Sequence, residues 1–236
     1  MKLSVLAAAF TLVTFGASDS FASTTLTKQQ SDIFGGGGRA TVSGISNHPG
    51  ISASAGGFRL NDGTADLVAW CLDTLHFLNI PSVYEITETP FTDHLPVLDT
   101  TRIGNLQNLF DENYSDTLLA DNTQSAGFQM ALWEIIYEAA GTALNVSDGT
   151  WYATAATGVV NFANTILGNL GGTKIDHFKL TFYQQEGGQN LVSASVPIPA
   201  AGGMLALGLI GLYGASRRRR ARLVPTMATR ACAVGD

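Results

Sequence analysis

Apolar residues recur in two different rhythms along this chain. Phe58–Leu60, Leu67–Leu72, Ser82–Ile86, Lys179–Gln184 and Asn190–Val196 alternate or are β-branched, the pattern of half-buried strands, and a further edge strand is expected around Ala40–Ile45. Between them the period lengthens. Ile103, Leu106, Leu109 and Phe110 fall at helical spacing within Thr101–Phe110, and Thr123–Ala140 and Tyr152–Leu170 predict two more helices. A strand-rich frame interrupted by a helical patch predicts an α+β fold with a β-sandwich-like body. Two apolar runs stand outside this rhythm. One is Leu3–Ala17, behind Met1-Lys2; the other is Val196–Ser216, which carries no charged side chain and ends at Arg217, Arg218, Arg219 and Arg220.

The first run is too short to span a bilayer and is followed by Ser20-Phe21-Ala22, small residues at the positions a signal peptidase reads, so cleavage is expected after Ala22. The second is just long enough to cross a membrane, where a helix needs roughly 20 apolar residues. Arg217, Arg218, Arg219 and Arg220 cannot follow it into lipid; they act as a membrane stop and mark the cytoplasmic side. The expected layout is a signal peptide (1–22), a flexible Gly/Ser/Thr-rich lead-in (23–47), an ectodomain (48–195), a proline motif with one C-terminal transmembrane helix and an arginine cluster (196–220), and a cytoplasmic extension (221–236). The ectodomain would then lie in the periplasm, anchored at the inner membrane.

Val196-Pro197-Ile198-Pro199-Ala200, the apolar run behind it and Arg217–Arg220 together resemble the PEP-CTERM class of C-terminal sorting signals, in its Val-Pro-Leu-Pro-Ala variant. Ile198 stands where that class has Glu or Leu, and residues 221–236 extend past the usual end. The resemblance implies recognition by an exosortase-type membrane enzyme, removal of the helix, and transfer to the cell surface or extracellular matrix.

Charge narrows the partners. Of thirteen Lys and Arg, Lys2 and the six at Arg217–Arg220, Arg222 and Arg230 lie outside 23–195, and that segment keeps six basic against seventeen acidic residues, a net charge near −11. Nucleic acid is excluded as a partner, because phosphate binding needs clustered cations. The two cysteines are separated by the expected topology, Cys71 outside and Cys232 beyond the arginines, which leaves Cys71 a lone thiol in an oxidising compartment.

Two patches bear on that thiol. Trp70-Cys71-Leu72-Asp73 and Phe128-Gln129-Met130-Ala131-Leu132-Trp133-Glu134 resemble the two motifs of bacterial thioester domains, an aromatic residue before Cys and Thr-Gln-x-Ala-Ile-Trp, with Phe128 in place of Thr. The resemblance implies that the Cys71 sulfur displaces ammonia from the Gln129 carboxamide. The resulting internal thioester is far more electrophilic than an amide. Trp70, Phe128 and Trp133 would shield it from water until a target amine or hydroxyl is acylated, making the protein a covalent adhesin and not an enzyme. The alternative is a non-covalent, exopolysaccharide-associated protein in which Cys71 is simply buried. No cofactor or metal is expected: the four histidines are scattered, and Asp111–Asp116 lacks the Gly and distal Glu of a calcium loop. Glu134 and Glu138, one turn apart, read as the polar face of their helix.

Overall fold

The computed structural model describes residues 22–87, 98–171 and 177–196. The expected signal peptide up to Phe21 lies outside the described residues. So do Pro197, Ile198, Pro199 and Ala200 of the sorting motif, the apolar span behind them, and the membrane-stop residues Arg217, Arg218, Arg219 and Arg220. The expectation of a transmembrane helix therefore finds no counterpart here: among the described residues no helix is long and apolar enough to cross a membrane. Residues up to Ser195 form one unit and 196–236 a second, of which Val196 alone is described.

The strands are β1 (Ala22–Lys28), β2 (Ala40–Ser43), β3 (Ser52–Ala55), β4 (Phe58–Asn61), β5 (Asp66–Cys71), β6 (Ser82–Thr87), β7 (Lys179–Gln184) and β8 (Leu191–Ser195). The helices are α1 (Thr100–Asn113), α2 (Asn122–Tyr137) and α3 (Thr157–Gly168), with a 3-10 turn at Asp116–Ala120. Six strands close into an antiparallel barrel in the order β1-β4-β5-β8-β7-β6, and β2 and β3 form a separate hairpin.

The body is therefore a closed barrel and not the β-sandwich-like arrangement expected from the sequence. The difference lies in β1. The composition of 23–47 suggests a flexible lead-in, yet Ala22–Leu26 pairs with Ser82–Ile86 along five registers and Lys28 pairs with Leu60. Without β1 the sheet has two open edges; with it, none. The strand is hard to see because ASTTLTK sends one large apolar side chain inward, Leu26, which is fully buried.

Residues paired across antiparallel strands share a face, as do alternate residues along a strand. The registers thus place Leu26, Tyr84, Leu60, Ala69, Cys71 and Leu191 on one face, and all are buried. This face is the barrel lumen. On the other face Trp70 packs against helices: its ring lies 4.6 Å from Phe128 of α2 and 6.4 Å from Tyr114. Phe110 of α1 closes the same cluster, 5.1 Å from Phe128.

α2 is the structural axis of the helical layer. Asp121 caps it, accepting from the Gln124 N–H at 2.9 Å. Every residue from Ser125 to Ile136 is buried, because the barrel, the β2–β3 hairpin, α1 and α3 surround it. Gly127 is where α3 crosses: a methyl group there would lie 2.8 Å from Phe162 Cδ1 and 3.0 Å from the Val159 carbonyl oxygen. α1 is capped by Asp99 at 2.8 Å from the Arg102 N–H, and Arg102 Nη2 donates to the Glu138 carbonyl at 2.8 Å, tying α1 to the end of α2.

Candidate functional site

Cys71 is the last residue of β5. Across β8 it is aligned with Leu191, and Leu72 N–H donates to the Asn190 carbonyl at 2.9 Å. The alternation of the ladder turns the N–H and C=O of Cys71 the other way, toward β4, whose pairing ends at Phe58↔Ala69. Both groups would be buried and unpaired. Gln129 of α2 fills the gap: its Oε1 accepts from the Cys71 N–H at 2.9 Å and its Nε2 donates to the Cys71 carbonyl at 2.8 Å.

The two residues that the motifs single out are thus in contact, 58 positions apart in sequence. The carboxamide carbon of Gln129 is clamped beside the residue whose sulfur would attack it. Gln129 is fully buried and Cys71 nearly so. Burial pushes the Cys71 thiol well above its usual pKa, and the nearby Asp73 carboxylate adds to the shift. The site therefore favours the protonated thiol over the thiolate.

The three residues expected to shield the bond divide. Trp133 lines a cavity of about 290 Å³ that Cys71 also lines, together with Asp73, His76, Phe77 and Gln189. Trp70 and Phe128 pack on each other on the outer face of the sheet, opposite the lumen. They hold β5 against α2 and so hold the Cys71–Gln129 pair in register.

The segment after Cys71 forms one wall of the cavity and is pinned at several points. Asp73 is fully buried; its Oδ1 accepts from the N–H groups of Leu75 at 3.2 Å and His76 at 2.8 Å, and its Oδ2 from the Asn190 N–H at 2.9 Å. His76 Nδ1 lies 3.2 Å from Asp73 Oδ1. Thr74 N–H donates to the Tyr137 hydroxyl at 3.1 Å, and His48 Nδ1 approaches the Thr74 carbonyl at 2.9 Å. Burial pushes the Tyr137 phenol up to about 12.

Besides the Trp70 indole Nε1 on the outer face, two polar atoms around the site have no hydrogen-bond partner among the described residues: the Trp133 indole Nε1, in a residue 2% exposed, and the Tyr84 hydroxyl in the lumen. Burial raises the Tyr84 phenol pKa, with the Cys71 and Asp73 charges adding to it. The sequence pattern singles out neither of these atoms, nor the Asp73–His76 pairing.

Glu134 and Glu138 are not the solvated face that their spacing suggests. Both are buried and hold the 145–151 loop by its backbone. Glu134 Oε1 accepts from the Asn145 N–H at 2.7 Å, while Glu138 accepts from the N–H groups of Ala139, Thr150 and Trp151. Burial pushes Glu134 up to about 7, against the Asn145 bond, which lowers it, with Glu138 adding repulsion; its Oε2 is unpartnered among the described residues. Burial also raises Glu138, but the backbone donors outweigh it and leave that carboxyl below its usual value.

Among the described residues no group of three or more His, Cys, Asp or Glu is placed to hold a metal ion. Asp111 instead accepts from the Phe178 N–H at 3.0 Å and from Gln107 Nε2 at 3.0 Å. Val196, the first sorting-motif residue, is exposed. Compared with protein-family models, curated proteins and solved structures, the chain matches none.

Proposed function

We propose that this is an exported surface or extracellular-matrix protein, routed through its proline-and-arginine tail by an exosortase-type enzyme, whose barrel domain carries an internal Cys71–Gln129 thioester for covalent attachment to a target. The observation that carries the reading is the double hydrogen bond between the Gln129 carboxamide and the Cys71 backbone, in a buried site that borders a cavity. Bond formation needs no co-reactant: a Cys71 Sγ–Gln129 Cδ bond replaces Cδ–Nε2, and the thiol proton leaves with ammonia. The departing nitrogen gives up its bond to the Cys71 carbonyl, while Oε1 keeps the Cys71 N–H, which polarises the carbonyl for attack. Localisation rests on the terminal sequences: Met1–Ala22 supports export, and the charge-free run ending at Arg217, Arg218, Arg219 and Arg220 supports retention before processing.

The non-covalent alternative has one observation in its favour. The same pair of hydrogen bonds satisfies two backbone groups that β4 leaves unpaired, a sufficient structural reason for a buried glutamine. Thiol titration of the denatured protein separates the two. A thioester hides Cys71 from thiol reagents until methylamine opens it, whereas a merely buried thiol reacts on denaturation with no amine treatment.

A further inference from the structure

We propose that the open edge of β3 is a docking edge for an extended segment of a partner polypeptide, which adds as a third strand to the β2–β3 hairpin beside the Cys71 cavity. The hydrogen bonds of the hairpin decide which backbone groups are free. On the far side of β2 the Ser43 N–H donates to the Thr154 carbonyl at 2.8 Å, and the Ser43 carbonyl accepts from the Thr154 N–H at 2.7 Å. Both groups of Ser43 therefore turn away from β3. That makes Ser43↔Ser52 a non-hydrogen-bonded pair and, by alternation, Thr41↔Ser54 another. The N–H and C=O of Ser52 and Ser54 then point out from the free edge, and they have no hydrogen-bond partner among the described residues. Both serines are exposed. Such edges are ordinarily blunted by charge, proline or a bulge. β3 reads Ser-Ala-Ser-Ala in unbroken register and has none of the three.

The cavity runs along this edge. Side chains of successive strand residues point to opposite faces, yet Ser52, Ala53 and Ser54 all line it, so it meets β3 at the edge and not on one face. Cys71 lines the same cavity. A strand laid there bonds the N–H and C=O of both serines and passes beside Cys71. Backbone pairing supplies affinity in such additions, and neighbouring pockets supply specificity. Ile45, Ile51, Phe77 and Leu78 make this pocket suited to an apolar side chain. Its volume of about 290 Å³ lies at the lower limit of pockets that enclose a whole small molecule, roughly 300 Å³, so it fits a side chain of a larger partner better than a free ligand. A second copy of this chain is the poorer occupant. Residues 23–195 hold six basic and seventeen acidic residues, a net charge near −11, and edge-to-edge pairing brings two such domains together. Docking needs only the hairpin edge; under the thioester reading it also sets the target beside the bond.

The probe is the synthetic peptide acetyl-Arg-Thr-Val-Thr-Val-Thr-Arg-amide. Its control is the same peptide N-methylated at both valines and the threonine between them, which cannot donate the pairing N–H groups. Binding to the purified wild-type protein is read by titration of backbone amide NMR signals, and pairing by hydrogen exchange at Ser52 and Ser54. The probe is expected to bind and, at about ten times its dissociation constant, to slow exchange of both amides about tenfold. The N-methylated peptide is expected not to bind. Ser54→Pro removes one outward N–H at a position an edge strand tolerates, and is expected to weaken the probe about tenfold; Ser54→Thr keeps that N–H and is expected to bind as wild type does. Equal binding of the N-methylated peptide, binding that leaves both amides exchanging at the free rate, or no binding at millimolar probe overturns the strand pairing. Slow exchange of both amides in the unliganded monomer would show that the chain covers its own edge, and a dimer dispersed by Ser54→Pro would show a second copy there; either overturns the partner assignment. A wild-type mass equal to that of the sequence, with probe binding intact, removes the thioester reading and leaves the docking edge standing.

Discussion

The substitution Glu134→Gln should flatten the pH dependence of stability between about pH 4.5 and 7. The Glu134 carboxyl is fully buried on α2 and pushed up to about 7 from an ordinary value of 4.5. A carboxyl whose folded pKa is raised binds its proton more tightly in the folded state. Its stabilising contribution is complete below the unfolded value and is lost as pH rises through the folded one. At about 1.4 kcal/mol per pK unit the loss is on the order of 3 kcal/mol, or roughly 6–12 °C in melting temperature for a domain of this size. The introduced glutamine keeps an acceptor for the Asn145 N–H, now 2.7 Å from Glu134 Oε1, and brings an amide nitrogen to the unpartnered Oε2 position. That nitrogen lowers stability by a pH-independent amount, so the slope is the readout and the intercept is not. Glu138 titrates in the opposite sense, stabilising at higher pH, and is common to both proteins. Urea unfolding of wild type and variant at a series of pH values between about 4.5 and 8 measures the difference directly. Parallel curves would refute the argument, because they would mean that Glu134 is not held protonated by its surroundings.

Three further substitutions test the fold around the site. Gly127→Ala places a methyl group 3.0 Å from the Val159 carbonyl and 2.8 Å from Phe162, and should lower unfolding free energy by about 1–3 kcal/mol, measured by urea titration. Leu26→Ala empties the one large apolar position of β1 and should cost about 2–5 kcal/mol; a near-neutral result would mean that β1 does not close the barrel. Tyr84→Phe removes a buried hydroxyl with no partner among the described residues, and should be neutral or stabilising by up to about 1–3 kcal/mol in thermal unfolding.

Local elements are legible in this sequence and the closure of the barrel is not. β4 to β8 and all three helices announce themselves through periodicity, because each buries several apolar side chains in a regular rhythm. β1 buries one, and its stabilisation comes from backbone pairing with β6 and β4, which no local pattern encodes. The same holds for polar residues of α2 and its C-cap. Gln129, Glu134 and Glu138 look like positions a helix would give to solvent, yet each is buried because it accepts from backbone N–H groups elsewhere in the chain, at Cys71, Asn145 and Thr150–Trp151. The Cys71–Gln129 pair is readable only through its resemblance to a known motif. The Asp73–His76 pair is local in sequence, three residues apart, but gains its meaning from a cavity whose walls come from several separate segments.

The central claim is the bond between Cys71 and Gln129, and intact mass tests it most directly. Wild-type protein should be lighter than its sequence mass by one ammonia. Cys71→Ala and Gln129→Glu variants should match their sequence masses, and wild type treated with methylamine should carry one adduct. A wild-type mass equal to that of the sequence, unchanged by methylamine, would contradict the account and leave Gln129 as a structural clamp on the end of β5.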